Sequence, residues 1–78
     1  MQFTDYFAAV RRRPDRASIR TEWIAMAIWQ PIREEIQPDG RIRRWVQVPG
    51  NPPRFLRVVL LEDGLTVHNA FFDRRFKP

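Results

Sequence analysis

The run Phe55-Leu56-Arg57-Val58-Val59-Leu60-Leu61 constrains the fold more than any other stretch of the chain. Side chains alternate between faces along a strand. Apolar groups here fall on both sides, which predicts a strand covered on both faces in the middle of a sheet. Glu62-Asp63-Gly64 follows with turn chemistry and a glycine able to take positive φ, and then comes a second β-rich run from Leu65 to Phe72. The pair reads as a hairpin. Its exit carries the only histidine, His68, followed by Asn69, Asp73, Arg74 and Arg75.

A chain of 78 residues has room for a single domain, residues 1–78, with one modest core. A domain of that size buries roughly 60% of its unfolded surface and reaches a net stability of about 3–5 kcal/mol, so a partner or a second copy is a natural source of further stability. A hydrophobic fraction of 44% with 13% aromatics excludes intrinsic disorder. Without cysteine there is no disulfide framework and no thiolate metal site, which fits a reducing cytoplasm. Nothing at the N-terminus resembles a signal peptide, and no apolar run approaches the roughly 20 residues of a membrane helix. A cytoplasmic protein without membrane contact is the expectation.

Lys plus Arg number 14 against 9 Asp plus Glu, a net charge of +5. Such a surface attracts polyanions such as RNA, because neutralised phosphates release counterions, and the same field attracts an acidic protein. Every cation but Lys77 is arginine, whose planar fork suits phosphate and carboxylate, although a GC-rich coding sequence produces the same bias.

From the N-terminus, Phe3, Tyr6, Phe7 and Val10 recur on one helical face, with Thr4 as N-cap and Asp5 well placed against the helix dipole. This predicts a helix from Asp5 to Arg12, closed by Arg11-Arg12-Arg13 and by Pro14. Pro14-Asp15-Arg16-Ala17 has turn composition. Thr21 then caps a second helix whose packing stripe is Trp23, Ile24, Ala27 and Ile28, flanked by Met26 and Trp29 and ended by Pro31. From Ile32 the period becomes two: a short polar strand to Gln37, a turn at Pro38-Asp39-Gly40, a strand from Arg41 to Val48, and a proline-rich loop into the central run. The fold class is therefore α+β, with two N-terminal helices packed on one face of a four-stranded, mainly antiparallel sheet.

Two strand arginines share faces with apolar neighbours: Arg44 with Ile42, Val46 and Val48, and Arg57 with Phe55, Val59 and Leu61. A lone buried charge costs several kcal/mol, so each must be paired or open to a groove. If both point into one hollow together with His68, fixed positive charge meets a titratable imidazole. That combination serves metal-independent cleavage of RNA, in which a base takes the 2′-hydroxyl proton, cations stabilise the phosphorane and an acid protonates the leaving oxygen. One histidine fills one proton-transfer role at a time, and Tyr6, Asp73 or Glu35 would supply the other. A lone strand histidine is also commonly just a packed residue. Arg41 and Arg43 flank Trp45, a charge–aromatic interleaving found on nucleic-acid surfaces, and Arg74 and Arg75 can clamp phosphates. One histidine and no cysteine give no metal-ligand spacing, there is no glycine-rich phosphate loop, and no metal or cofactor is implied.

With Pro14-Asp15-Arg16, the Trp23-Ile24 helix, Asp39-Gly40-Arg41-Ile42-Arg43, Leu56-Arg57-Val58-Val59 and His68-Asn69-Ala70-Phe71-Phe72-Asp73 in view, the chain resembles short bacterial proteins similar to the BrnT-like branch of the RelE/ParE toxin superfamily. The resemblance implies a RelE-like fold and the role of the toxin in a toxin–antitoxin pair: a ribonuclease acting on mRNA, in ribosome-associated fashion in some members, neutralised by an acidic antitoxin. Arg44, Arg57 and His68 are then the catalytic candidates and Arg41, Arg43, Arg74 and Arg75 the RNA-binding ones. The chain lacks the C-terminal tyrosine of many RelE-type enzymes, and ParE-like relatives act on gyrase instead. The other reading is a binding module without catalysis, homodimeric through an open sheet edge or bound to a protein partner.

Overall fold

The computed structural model describes residues 1–78, and the elements run β1 (Gln2–Phe3), α1 (Asp5–Val10), α2 (Pro14–Ala17), α3 (Thr21–Trp29), β2 (Arg33–Ile36), β3 (Ile42–Val48), β4 (Arg54–Leu60) and β5 (Thr66–Phe72). The α+β expectation holds, but the count of elements differs. Five strands form one mixed sheet in the order β1-β5-β4-β3-β2, in which β1 runs parallel to β5 and all other pairs are antiparallel. β1 pairs only Gln2 with Thr66 and Phe3 with Val67, too short to leave an alternation in the sequence. The third helical segment is the single turn α2. Pro14 occupies its first turn, where a missing N–H goes unnoticed, so the composition of a turn serves as a helix start.

Local chemistry accounts for the other boundaries. Thr4 caps α1 as expected, its Oγ1 accepting the Phe7 N–H at 3.2 Å. The helix ends at Val10, two residues short of Arg12, with the Arg11 N–H returned to the Phe7 carbonyl. Arg20, not Thr21, is the N-cap of α3, without a side-chain bond. In the β4–β5 turn Gly64 takes φ 69° as anticipated, and Asp63 accepts the backbone N–H groups of Leu65 and Thr66 at 2.8 Å.

The core lies between the helices and one face of the sheet. Phe7 and Val10 from α1, and Ile24, Ala27 and Ile28 from α3, pack on Val46 and Val48 of β3, Leu56, Val58 and Leu60 of β4, and Val67 and Ala70 of β5. Trp23 is partly buried against this cluster, whereas Met26 and Trp29 of the expected flank stand exposed. β4 is central, and its residues Leu56, Val58 and Leu60 are 0% exposed. Its other face is covered differently from the first: no helix lies there, and Phe55 and Arg57 are half-buried beneath the C-terminal tail.

Burying one leucine contributes about 1.5–3 kcal/mol, a large fraction of the stability open to so small a domain. Leu56→Ala should therefore cost about 2–5 kcal/mol and leave the chain largely unfolded at 25 °C in chemical denaturation, while Val59→Ala on the opposite face should cost markedly less.

Candidate functional site

Register decides which arginines can act together. On the β3–β4 ladder Arg44 stands opposite Val58 and Trp45 opposite Arg57. Directly opposed residues share a face, so Arg44 joins Val58 on the helix side and Arg57 joins Trp45 on the other. The hollow expected to hold both guanidinium groups does not form. Each is instead tied to structure on its own side. Arg44 donates from Nε to Glu34 Oε2 at 2.7 Å and from Nη1 to the Ile28 carbonyl at 2.8 Å, satisfying a carbonyl in the last turn of α3. Arg57 donates from Nε and Nη2 to Asp73 Oδ2 at 3.1 and 2.8 Å.

His68 occupies a third location. The β4–β5 pairing steps from Val59↔Asn69 to Leu60↔Val67, which leaves His68 as the unopposed residue of a bulge. Its Nδ1 lies 3.1 Å from Thr4 Oγ1, and Tyr6 stacks on the ring at 5.1 Å between centroids. The Thr4 oxygen already accepts the Phe7 N–H, so its hydroxyl proton can go to Nδ1, the arrangement that puts the ring's proton on Nε2. Desolvation, and then the positive charge of Arg41, hold the imidazole pKa below its ordinary value against the opposing pull of Asp39, so the ring is neutral at pH 7. Arg57 stands opposite Phe71, three residues along β5 or about 10 Å of strand from His68. The three catalytic candidates thus sit apart. Of the residues considered for the second proton-transfer role, Tyr6 alone meets His68.

The face opposite the helices is organised by Asp73. This carboxylate, 9% exposed, accepts the Trp45 Nε1–H at 2.9 Å and both Arg57 donors on Oδ2, and the Arg75 N–H at 3.1 Å on Oδ1. Burial pushes its pKa up, but the Trp45, Arg57 and Arg75 donors outweigh it and hold the group below the ordinary carboxylate value. Fixing Asp73 lays the tail across the sheet, where Phe76 stacks on Trp45 at 5.0 Å and meets Phe55 at 5.1 Å. Beside it opens a cleft of about 340 Å³, lined by Pro52, Pro53, Arg54, Phe55, Phe72, Asp73, Arg74 and Phe76.

The expected RNA-binding residues divide into two groups. Arg41 and Arg43 lie within 3.7 Å of Asp39 and 3.8 Å of Glu35 respectively, and the Trp45 that follows them on that face is 4% exposed beneath Phe76, so the anticipated charge–aromatic surface is covered. Arg74 and Arg75 are exposed and carry no carboxylate partner; the neighbouring Asp73 takes Arg57 instead. Two residues that periodicity and spacing do not single out join them. Arg54 lies 4.0 Å above the Phe72 ring and Arg33 lies 4.8 Å above Phe76, both without an acidic partner. The usable signal is the alternation of aromatic and arginine through Phe71-Phe72-Asp73-Arg74-Arg75-Phe76, which needs the tail to fold back before it becomes a surface.

Asp73→Asn should destabilise the fold by about 2–3 kcal/mol at pH 7, short of the full cost of breaking a buried pair because the Arg57 side chain retains 26% exposure. The release of Phe76 should be visible in Trp45 fluorescence. A depressed native pKa contributes stability that is present above the unfolded value near ~3.9 and is lost as pH falls through the native value. The gap between wild type and Asp73→Asn should accordingly close in denaturation curves taken below about pH 4. Asp63, held low by the Thr66 hydroxyl and the Thr66 and Leu65 amides, supplies an acid-side loss common to both proteins.

No protein-family model matches this chain, and no curated protein or solved structure matches it either.

Proposed function

We propose that this chain binds single-stranded RNA along the cleft beside the C-terminal tail, with phosphates on Arg54, Arg74 and Arg33 and a base against Phe72 or Phe76. The observation that carries this reading is the partition of charge. Arg16, Arg20, Arg41, Arg43, Arg44 and Arg57 each have a carboxylate within 4.0 Å; Arg11, Arg12, Arg13, Arg33, Arg54, Arg74 and Arg75 have none, and of these Arg33, Arg54 and Arg74 gather about the half-exposed Phe72 and Phe76. Arginine beside an accessible ring suits a strand whose bases are unstacked, since stacking contributes about 1–3 kcal/mol per base and the phosphates take the cations. The toxin setting implied by the resemblance belongs to the same proposal: mRNA is the strand, and an acidic antitoxin segment competes for the same free arginines.

Cleavage of that RNA is a second reading, and one contact favours it. Tyr6 stacks on His68, which puts a phenol and a neutral imidazole side by side within a positively charged chain. Arg44 has no part in it, being committed to Glu34 and Ile28 on the helix side.

Anisotropy titrations of a labelled oligouridylate at several salt concentrations test the binding. Arg54→Gln combined with Arg74→Gln should weaken it and flatten the plot of log affinity against log salt by about 0.7 for each phosphate no longer neutralised. An unchanged slope and affinity would exclude the cleft as the binding site. For cleavage, induced expression should arrest growth with the wild type but not with His68→Ala or Tyr6→Phe; equal growth and intact mRNA in all three leaves binding alone.

A further inference from the structure

The sheet is open along β2. All four residues Arg33–Ile36 are exposed, and Ile32 and Ile36 beside and within the strand are 51% and 69% exposed. Antiparallel ladders turn the backbone groups of alternate residues toward the neighbouring strand. The Gln37 N–H reaches the Arg41 carbonyl, and the pairings Glu35↔Arg43 and Arg33↔Trp45 continue that alternation. The N–H and C=O of Glu34 and Ile36 therefore face outward with no strand to receive them.

We infer that this edge is an interface for a second copy of the chain, joined antiparallel about a two-fold axis through Glu34 to give one continuous ten-stranded sheet. The register follows from the side chains. With Glu34 opposite its own counterpart, the Arg33 of one copy faces Glu35 of the other, a relation that occurs twice by symmetry, while Ile32 stays out of the new ladder because its N–H is turned inward to the Trp45 carbonyl at 2.8 Å. The two Glu34 carboxylates at the axis each remain bound to an Arg44 at 2.7 Å, which relieves their like charge. Shifting the axis to Glu35 sets two Glu35 side chains against each other with arginine only at 3.8 Å. Opposite charges opposed across an edge attract where like charges would block the pairing that exposed edges otherwise permit. The interface draws on Arg33, which the proposed RNA site also uses, so dimer pairing and phosphate contact meet at that one residue.

Sedimentation equilibrium of the full chain across a wide concentration range tests the interface. Wild type should approach twice the monomer mass at high concentration. Glu35→Arg turns two attractions into two repulsions and should weaken association by about tenfold or more, and the double exchange Arg33→Glu with Glu35→Arg should restore it. Ile36→Pro removes an outward N–H that the monomer does not use, so this variant should keep the wild-type circular dichroism yet stay monomeric. A wild type that remains monomeric throughout, a Glu35→Arg protein that associates as well as wild type, a double variant without recovery, or a folded Ile36→Pro dimer would each overturn the inference.

Discussion

The carboxylate of Asp73 is the interaction on which one whole side of this protein depends. Arg57 stands on the central strand among Phe55, Val59, Phe71 and Trp45, where a guanidinium without a counter-ion would be costly. Asp73 neutralises it and satisfies the indole N–H of Trp45 with the same oxygen. Because Asp73 follows directly on β5, satisfying those two buried groups also fixes where the chain goes next. The tail then lies over Trp45 and brings Phe76 and Arg74 to the cleft. A charge placed in the middle of the sheet thereby determines the position of a surface at its edge.

A similar device operates on the other side. Arg44 bridges Glu34 of the edge strand and the carbonyl end of α3, so the helix layer and the edge strand β2 are held to one another by a single side chain. His68, with Thr4 and Tyr6, ties the bulge of β5 to the start of α1, while Arg16 reaches Asn69 Oδ1 at 2.6 Å and the Ala70 carbonyl at 3.1 Å from α2. Helices too short to be stable alone are thus fastened to the sheet by polar contacts at their ends as well as by the core.

Much of this is legible in the residues and some is not, for identifiable reasons. The central strand, the turn at Gly64, the Thr4 cap and the buried stripe of α3 each rest on local periodicity or on one residue's chemistry, and each is present. Alternation within β3 and within β4 also holds: Arg44 does share a face with Val46 and Val48, and Arg57 with Phe55 and Val59. Alternation cannot relate the faces of two strands. That relation follows from the register across the Pro49–Pro53 loop, and a shift of one residue there reverses it, which is why Arg44 and Arg57 stand on opposite sides. The bulge at His68 and the back-folded tail are likewise products of tertiary packing. β1 leaves no trace because two residues carry no period.

The distribution of cations that results separates structure from surface. Arginines with a carboxylate partner are committed to the fold, whereas Arg33, Arg54, Arg74 and Arg75 about the tail have none, and neither do Arg12 and Arg13 beyond α1. The most direct test of that division is a residue-resolved NMR titration of the full chain with a short oligouridylate. Shift changes should concentrate at Arg54, Phe55 and Phe72 through Phe76, with Arg33 at their margin and Arg44 unmoved. Changes centred on His68 and Tyr6, with the tail cleft silent, would contradict the account.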